Sequence, residues 1–125
     1  MTNIEYWVKS SRDDLDTAEK LFALKKYHHS LFFVHLALEK ILKAVYVSRK
    51  KSFAPPIHDL VRLLEKSGVE TSEDQISSLS EISAFSVVAR YDDYRFKFYK
   101  KATKEYAKKW LKTSKELYQV FNSKI

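Results

Sequence analysis

Cysteine is absent from this chain, and glycine occurs once. The first absence excludes a disulfide framework, a thiolate metal site, an iron–sulfur cluster and a cysteine nucleophile, and it suits a reducing compartment. The second excludes a glycine-rich loop that cradles phosphate, and the serines sit in no G-x-S-x-G turn. Uncharged apolar runs fall far short of a membrane span. The N-terminus, MTNIEYWVKSSRDD, alternates polar with apolar residues and holds no signal-peptide core. A soluble, cytoplasmic protein is expected, with no membrane association.

What is present is a greasy, basic chain. At 45% hydrophobic and 14% aromatic it can fill a core, and 125 residues suit one domain spanning 1–125. The net charge of +7 is unevenly placed: residues 91–125 hold ten Lys/Arg against four Asp/Glu. A basic segment of this kind is a footprint for RNA or DNA, or else a solvated lysine-rich helix face.

Helix signals dominate. Ile4, Val8, Leu15, Ala18 and Phe22 recur at three-four spacing, with Ser11 in the same register. This predicts an amphipathic helix over about residues 3–24, with Asp13, Asp14, Asp16 and Glu19 on its outer side. After Lys25-Lys26-Tyr27 comes HHSLFFVHLALEKILKAVYVSR, residues 28–49, apolar on nearly every side. Such a helix belongs among other helices. The short link makes the two an antiparallel hairpin. Ala54-Pro55-Pro56 stops the second helix. His58-Asp59 opens a third, with Leu60, Leu63 and Leu64 inward and Gly68 as its stop. Ser72 and Gln75 form a capping box for a fourth, whose buried side is Ile76, Leu79 and Ile82. Arg90-Tyr91-Asp92-Asp93 reads as a turn or loop. A last helix is expected from near 98–101 to about Asn122, with Tyr99, Tyr106, Trp110, Leu117 and Phe121 inward. The fold class is all-α: an antiparallel up-and-down bundle of four to five helices.

One stripe interrupts the apolar second helix. His35, Glu39 and Lys43 recur every four residues and share a face. Burying ions is expensive unless they are paired, so this stripe faces water, pairs internally or lines a groove. Metal chemistry finds little support. Bundle di-iron sites need Glu-x-x-His motifs on facing helices, whereas this chain offers His35-Leu-Ala-Leu-Glu39 and the adjacent, divergent His28 and His29. Neither metal nor cofactor is implied. Near the C-terminus Lys100, Lys104, Lys108 and Lys112 fall on one helical face, a candidate RNA-contacting row, with aromatics nearby that would stack bases if exposed.

Three short motifs then stand in order: Glu39-Lys40-x-x-Lys43-Ala44, His58-Asp59-Leu60 after a proline loop, and Ala89-Arg90-Tyr91-x-Asp93. With Asp14-Leu15-x-x-Ala18 and Tyr27 before them, they resemble a HEPN (higher eukaryotes and prokaryotes nucleotide-binding) domain of the small prokaryotic type. The resemblance covers essentially the whole chain. It implies a helical bundle, usually a homodimer, often encoded beside a minimal nucleotidyltransferase in a toxin–antitoxin pair. It also implies a nucleotide or RNA ligand, with Glu39, Lys43, His58, Arg90 and Asp93 as phosphate- or nucleotide-binding residues and His35 lining their groove. Catalytic members are metal-independent ribonucleases that use an Arg-x(4–6)-His motif. Here Arg95, Phe96 and Lys97 stand where that His would follow Arg90, and no other Arg has one in range. Acid–base cleavage needs a group that titrates near neutrality. The expectation is therefore a nucleotide- or RNA-binding member. The alternatives are a ribonuclease toxin with a non-standard active site and a purely protein–protein module.

Overall fold

The computed structural model describes residues 2–89 and 92–125, without the side chains of 87–94. The first helix, α1 (Asn3–Ala23), starts at a capping box: Thr2 accepts from the Glu5 N–H while Glu5 reaches back to the Thr2 N–H. It ends at Leu24, and Lys25 makes the reversal with φ of 63°, a left-handed conformation that few non-glycine residues adopt. The second helix, α2 (Tyr27–Lys50), is the central rod. Its buried residues, from Ser30 to Val45, cover most of its circumference, with Phe33, Leu36 and Lys40 half-buried on the remaining side. As expected, α1 and α2 form a close hairpin, tied where Ser30 Oγ donates to the Ala18 carbonyl at 2.7 Å.

Lys51 closes α2 in the left-handed region. The proline segment then leads to α3 (Leu60–Ser67), capped at its start by the Asp59 carboxylate and at its end by Gly68, φ 75°. Ser72 and Gln75 form the anticipated capping box of α4 (Glu73–Ser83). A 3-10 turn follows at Ala84–Ala89. Two further helices complete the bundle, α5 (Asp92–Lys101) and α6 (Lys104–Asn122). The core joins α2 to Leu60 and Leu63 of α3, Leu79 and Ile82 of α4, Phe85 of the 3-10 turn, and Phe121 of α6.

The structure departs from the periodicity reading in four places. Asp14 is buried rather than outward, because Lys40 of α2 reaches it at 2.7 Å. The expected single last helix is two, broken at Ala102-Thr103, where Thr103 caps α6 by accepting from the Tyr106 N–H. Asp92 and Asp93 open α5 rather than lying in a loop; Arg90 and Tyr91 lie outside the described residues. Tyr99 and Ile76, expected inward, are exposed, because α5 turns Phe98 to the core and α4 uses Leu79 and Ile82. The all-α expectation holds, with six α-helices among the described residues.

Candidate functional site

The polar stripe of α2 is buried: His35, Glu39 and Lys43 are 1%, 6% and 6% exposed. Its burial is tolerated because the three groups meet one another and a fourth. The Lys43 ammonium donates to Glu39 Oε2 at 3.0 Å and lies 5.3 Å from the centre of the Trp7 ring, a cation–π contact from α1. His58, carried back by the proline segment, donates from Nδ1 to the same carboxylate at 3.1 and 3.2 Å. Glu39 is thus held between an ammonium and an imidazole. Three-quarters of the His58 side chain is exposed, so its free edge faces water while Nδ1 faces the carboxylate.

His35 closes the arrangement from beneath. A carbonyl only accepts, so the 3.1 Å contact between His35 Nε2 and the His58 carbonyl places the ring proton on Nε2. Nδ1 then has no hydrogen-bond partner and stands 3.9 Å from Glu39 Oε1. Burial holds the His35 imidazole below the ordinary histidine pKa and outweighs the opposing pull of Glu39 and of the His58 carbonyl. Its contribution to stability follows in sign: the unfolded chain takes up this proton more readily than the folded one. Stability is therefore full above the ordinary histidine value of about 6.5 and declines as pH falls through it toward the lower folded value. Thermal melts of the wild type and His35→Gln from pH 8 to pH 5 should show the wild type losing more stability across that acid limb. Parallel curves would refute the assignment.

Asp59 and Ser83 fix where His58 stands. The Asp59 carboxylate accepts from the Arg62 N–H, and the Leu60 N–H donates to Ser83 Oγ at 3.0 Å, so the start of α3 is tied both to itself and to α4. The stripe therefore pairs internally and, among the described residues, opens outward through His58. Among the residues expected at the site, the structure brings His35, Glu39, Lys43 and His58 together. Arg90 and the Asp93 side chain lie outside the described residues. Lys43 makes its contacts with Glu39 and Trp7 and is buried.

The basic row is altered too. Lys104, Lys108 and Lys112 are exposed along one face of α6, but the break at Thr103 takes Lys100 out of that register and onto α5. Lys101 and Lys115, off the row, pair with Glu81 and Glu19 at 2.9 and 2.6 Å. Glu81 also accepts from the Tyr106 hydroxyl, which together with Lys101 holds its carboxyl below the usual range. His28 and His29 do not diverge: their ring centres are 3.9 Å apart. Among the described residues no group of three or more His, Cys, Asp or Glu is placed to hold a metal ion, and no helix is long and apolar enough to cross a membrane.

The family model of the HEPN domain matches residues 4–124. The chain belongs to the HEPN domain family. Its fold is similar to the crystal structure of TT1696 from Thermus thermophilus, with a TM-score of 0.83 over 100% of both chains at 19% sequence identity. No curated protein matches the sequence. Within a HEPN domain, the Glu39–His58–Lys43 cluster joins two of the three sequence motifs that suggested the family, one on α2 and one at the start of α3. Membership supports a nucleotide- or RNA-related role in general.

Proposed function

We propose that this HEPN protein binds RNA or a nucleotide as a homodimer and works with a minimal nucleotidyltransferase in a two-gene, toxin–antitoxin-like system. The observation that carries the binding reading is the exposed row of Lys104, Lys108 and Lys112 on α6, in the segment 91–125 where ten Lys/Arg stand against four Asp/Glu. Such a row neutralises phosphates without reading sequence. In this reading His58 is the outward member of a second phosphate contact, with Glu39 and Lys43 fixing its ring from behind. Arg90 and Asp93 join it on the strength of their motif. The missing Arg-x(4–6)-His motif favours binding over cleavage.

The test is binding of a labelled RNA at several salt concentrations. Replacing Lys104, Lys108 and Lys112 together by alanine should weaken binding and reduce the slope of log affinity against log salt by about 2, since each phosphate contact on a single strand contributes about 0.7. An unchanged slope would remove α6 from the interface. Cleavage of total RNA that persists in chelator and disappears in Arg90→Ala would make the protein an enzyme instead. Co-purification with the neighbouring gene product and light scattering of the purified protein test the partner and the dimer.

A further inference from the structure

Between the start of α2 and α5 the surface opens into a groove of about 590 Å³, whose walls include His28, His29, Phe33, Arg95, Phe96 and Tyr99. Phe96 and Tyr99 are three apart on α5 and share a face, and they are 61% and 62% exposed. Phe98, between them, is buried and packs on Phe85 with ring centres 5.5 Å apart. Among the described side chains of α5, one aromatic therefore anchors the helix, while two stand largely in water and contribute little to the core. The facing wall is also made of rings: His28 meets Tyr99 edge to face at 4.9 Å and stacks against His29. Cations border them. Arg95, which lines the groove, and Lys100 are exposed on the same short helix, and the Lys100 ammonium lies 4.6 Å from the centre of the Phe96 ring.

This composition narrows the occupant. The core of a protein–protein interface is depleted in lysine, whereas the Lys100 ammonium lies over the Phe96 ring itself. Among the described residues no third ligand joins the two imidazoles, so they make no metal site. Exposed ring faces beside a cationic border are what an unpaired polynucleotide requires: bases stack on the rings and phosphates follow the cations. A duplex presents only base edges and backbone, because its base faces are already stacked. The groove is separate from the Glu39 cluster, since the stretch of helix between His28 and Glu39 spans about 16 Å at 1.5 Å per residue.

We propose that this groove is a base-stacking subsite for single-stranded RNA. Phe96 and Tyr99 offer ring faces to the bases. Lys100 lies along the phosphates, and the imidazoles of His28 and His29 offer hydrogen bonds to base edges or the 2′-hydroxyl. The inference rests on the RNA-binding reading and adds the place and the form: unpaired, at the α2–α5 end.

The experiment compares wild type, Phe96→Ala/Tyr99→Ala and Tyr99→Trp. Each is titrated into a labelled single-stranded RNA about ten nucleotides long, into the matching DNA and into the RNA duplex. The double variant should lose about tenfold or more in single-strand affinity, with an unchanged salt slope, duplex affinity and melting temperature, because both rings are exposed. Tyr99→Trp should bind as wild type does. Equal binding of single-stranded RNA by the double variant and the wild type overturns the subsite while leaving the RNA-binding reading in place. Absence of RNA binding by the wild type overturns both. Retained RNA affinity with conversion of a dimer to a monomer reassigns the groove to protein contact. Tighter binding of DNA than RNA overturns the choice of RNA. Should the double variant melt early, crosslinking of 4-thiouridine RNA to the wild type decides the matter. Crosslinks in the peptide of Phe96 and Tyr99 support the subsite, and crosslinks confined to α6 overturn it.

Discussion

Replacing Glu39 by glutamine should lower the melting temperature by about 10–20 °C. The substitution keeps the shape of the side chain and removes only its charge. Lys43, 6% exposed and bonded to Glu39 at 3.0 Å, then becomes an unpaired buried ammonium. Breaking a buried pair from one side costs about 3–5 kcal/mol, and in a domain of this size each kcal/mol moves the midpoint by a few degrees. His58→Ala should cost far less, because that ring is mostly in water and Lys43 still holds the carboxylate. Replacing Glu39 and Lys43 together by methionine should recover most of the loss, since a buried pair exchanged for packed apolar groups is often neutral or better. The double variant also separates structure from function. If it folds and keeps RNA affinity, the cluster is a strut; if it folds and loses affinity, His58 needs the carboxylate behind it. A melting temperature for Glu39→Gln within a few degrees of wild type would show that the stripe is not held as described.

What the sequence reveals and what it hides divide along local and non-local physics. The α1–α2 hairpin, the Asp59 and Gly68 ends of α3 and the Ser72–Gln75 box of α4 are local signals, readable within a few residues. The break before α6 is also local but faint: Thr103 is a good cap, yet Tyr106 stands where a capping box has Glu or Gln, and the run of lysines and aromatics continues through it. Without that break, Tyr99 falls at core spacing; with it, the residue turns to water. Asp14 escapes a periodicity argument because its partner Lys40 is on the neighbouring helix, and periodicity registers only an outward-looking acid. At the site, the period of four on α2 exposes His35, Glu39 and Lys43 as a set. That His58 closes on Glu39 depends on the path of the proline segment, and only the family resemblance connects them. The groove is hidden because it belongs to two distant elements. Adjacency on a helix suggests that His28 and His29 diverge, and nothing near them in sequence announces the α5 rings that complete the wall.

Phe85→Ala should be as damaging as Glu39→Gln, but through packing, and with a different functional consequence. Phe85 is fully buried in the 3-10 turn, and its ring centre lies 5.5 Å from Phe98, 6.0 Å from Tyr106 and 6.1 Å from Trp110. One ring thus docks α5 and α6 against the rest of the bundle. Truncating a buried phenylalanine costs about 3–5 kcal/mol, part lost transfer energy and part the cavity left behind, which again amounts to about 10–20 °C here. The weakness should be local before it is global. Phe98 is the buried aromatic among the described side chains of α5 and loses its partner, so amide exchange should rise first along Asp92–Lys101. Phe121→Ala, a cavity of similar size at the far end of α6, supplies the control: comparable destabilisation with α5 still protected. If single-stranded RNA stacks on Phe96 and Tyr99, Phe85→Ala loses affinity at temperatures where Phe121→Ala still binds, because only the first frees the helix that carries those rings. Equal protection of α5 in both variants would mean that Phe98 is not its anchor, and the groove would then need another support.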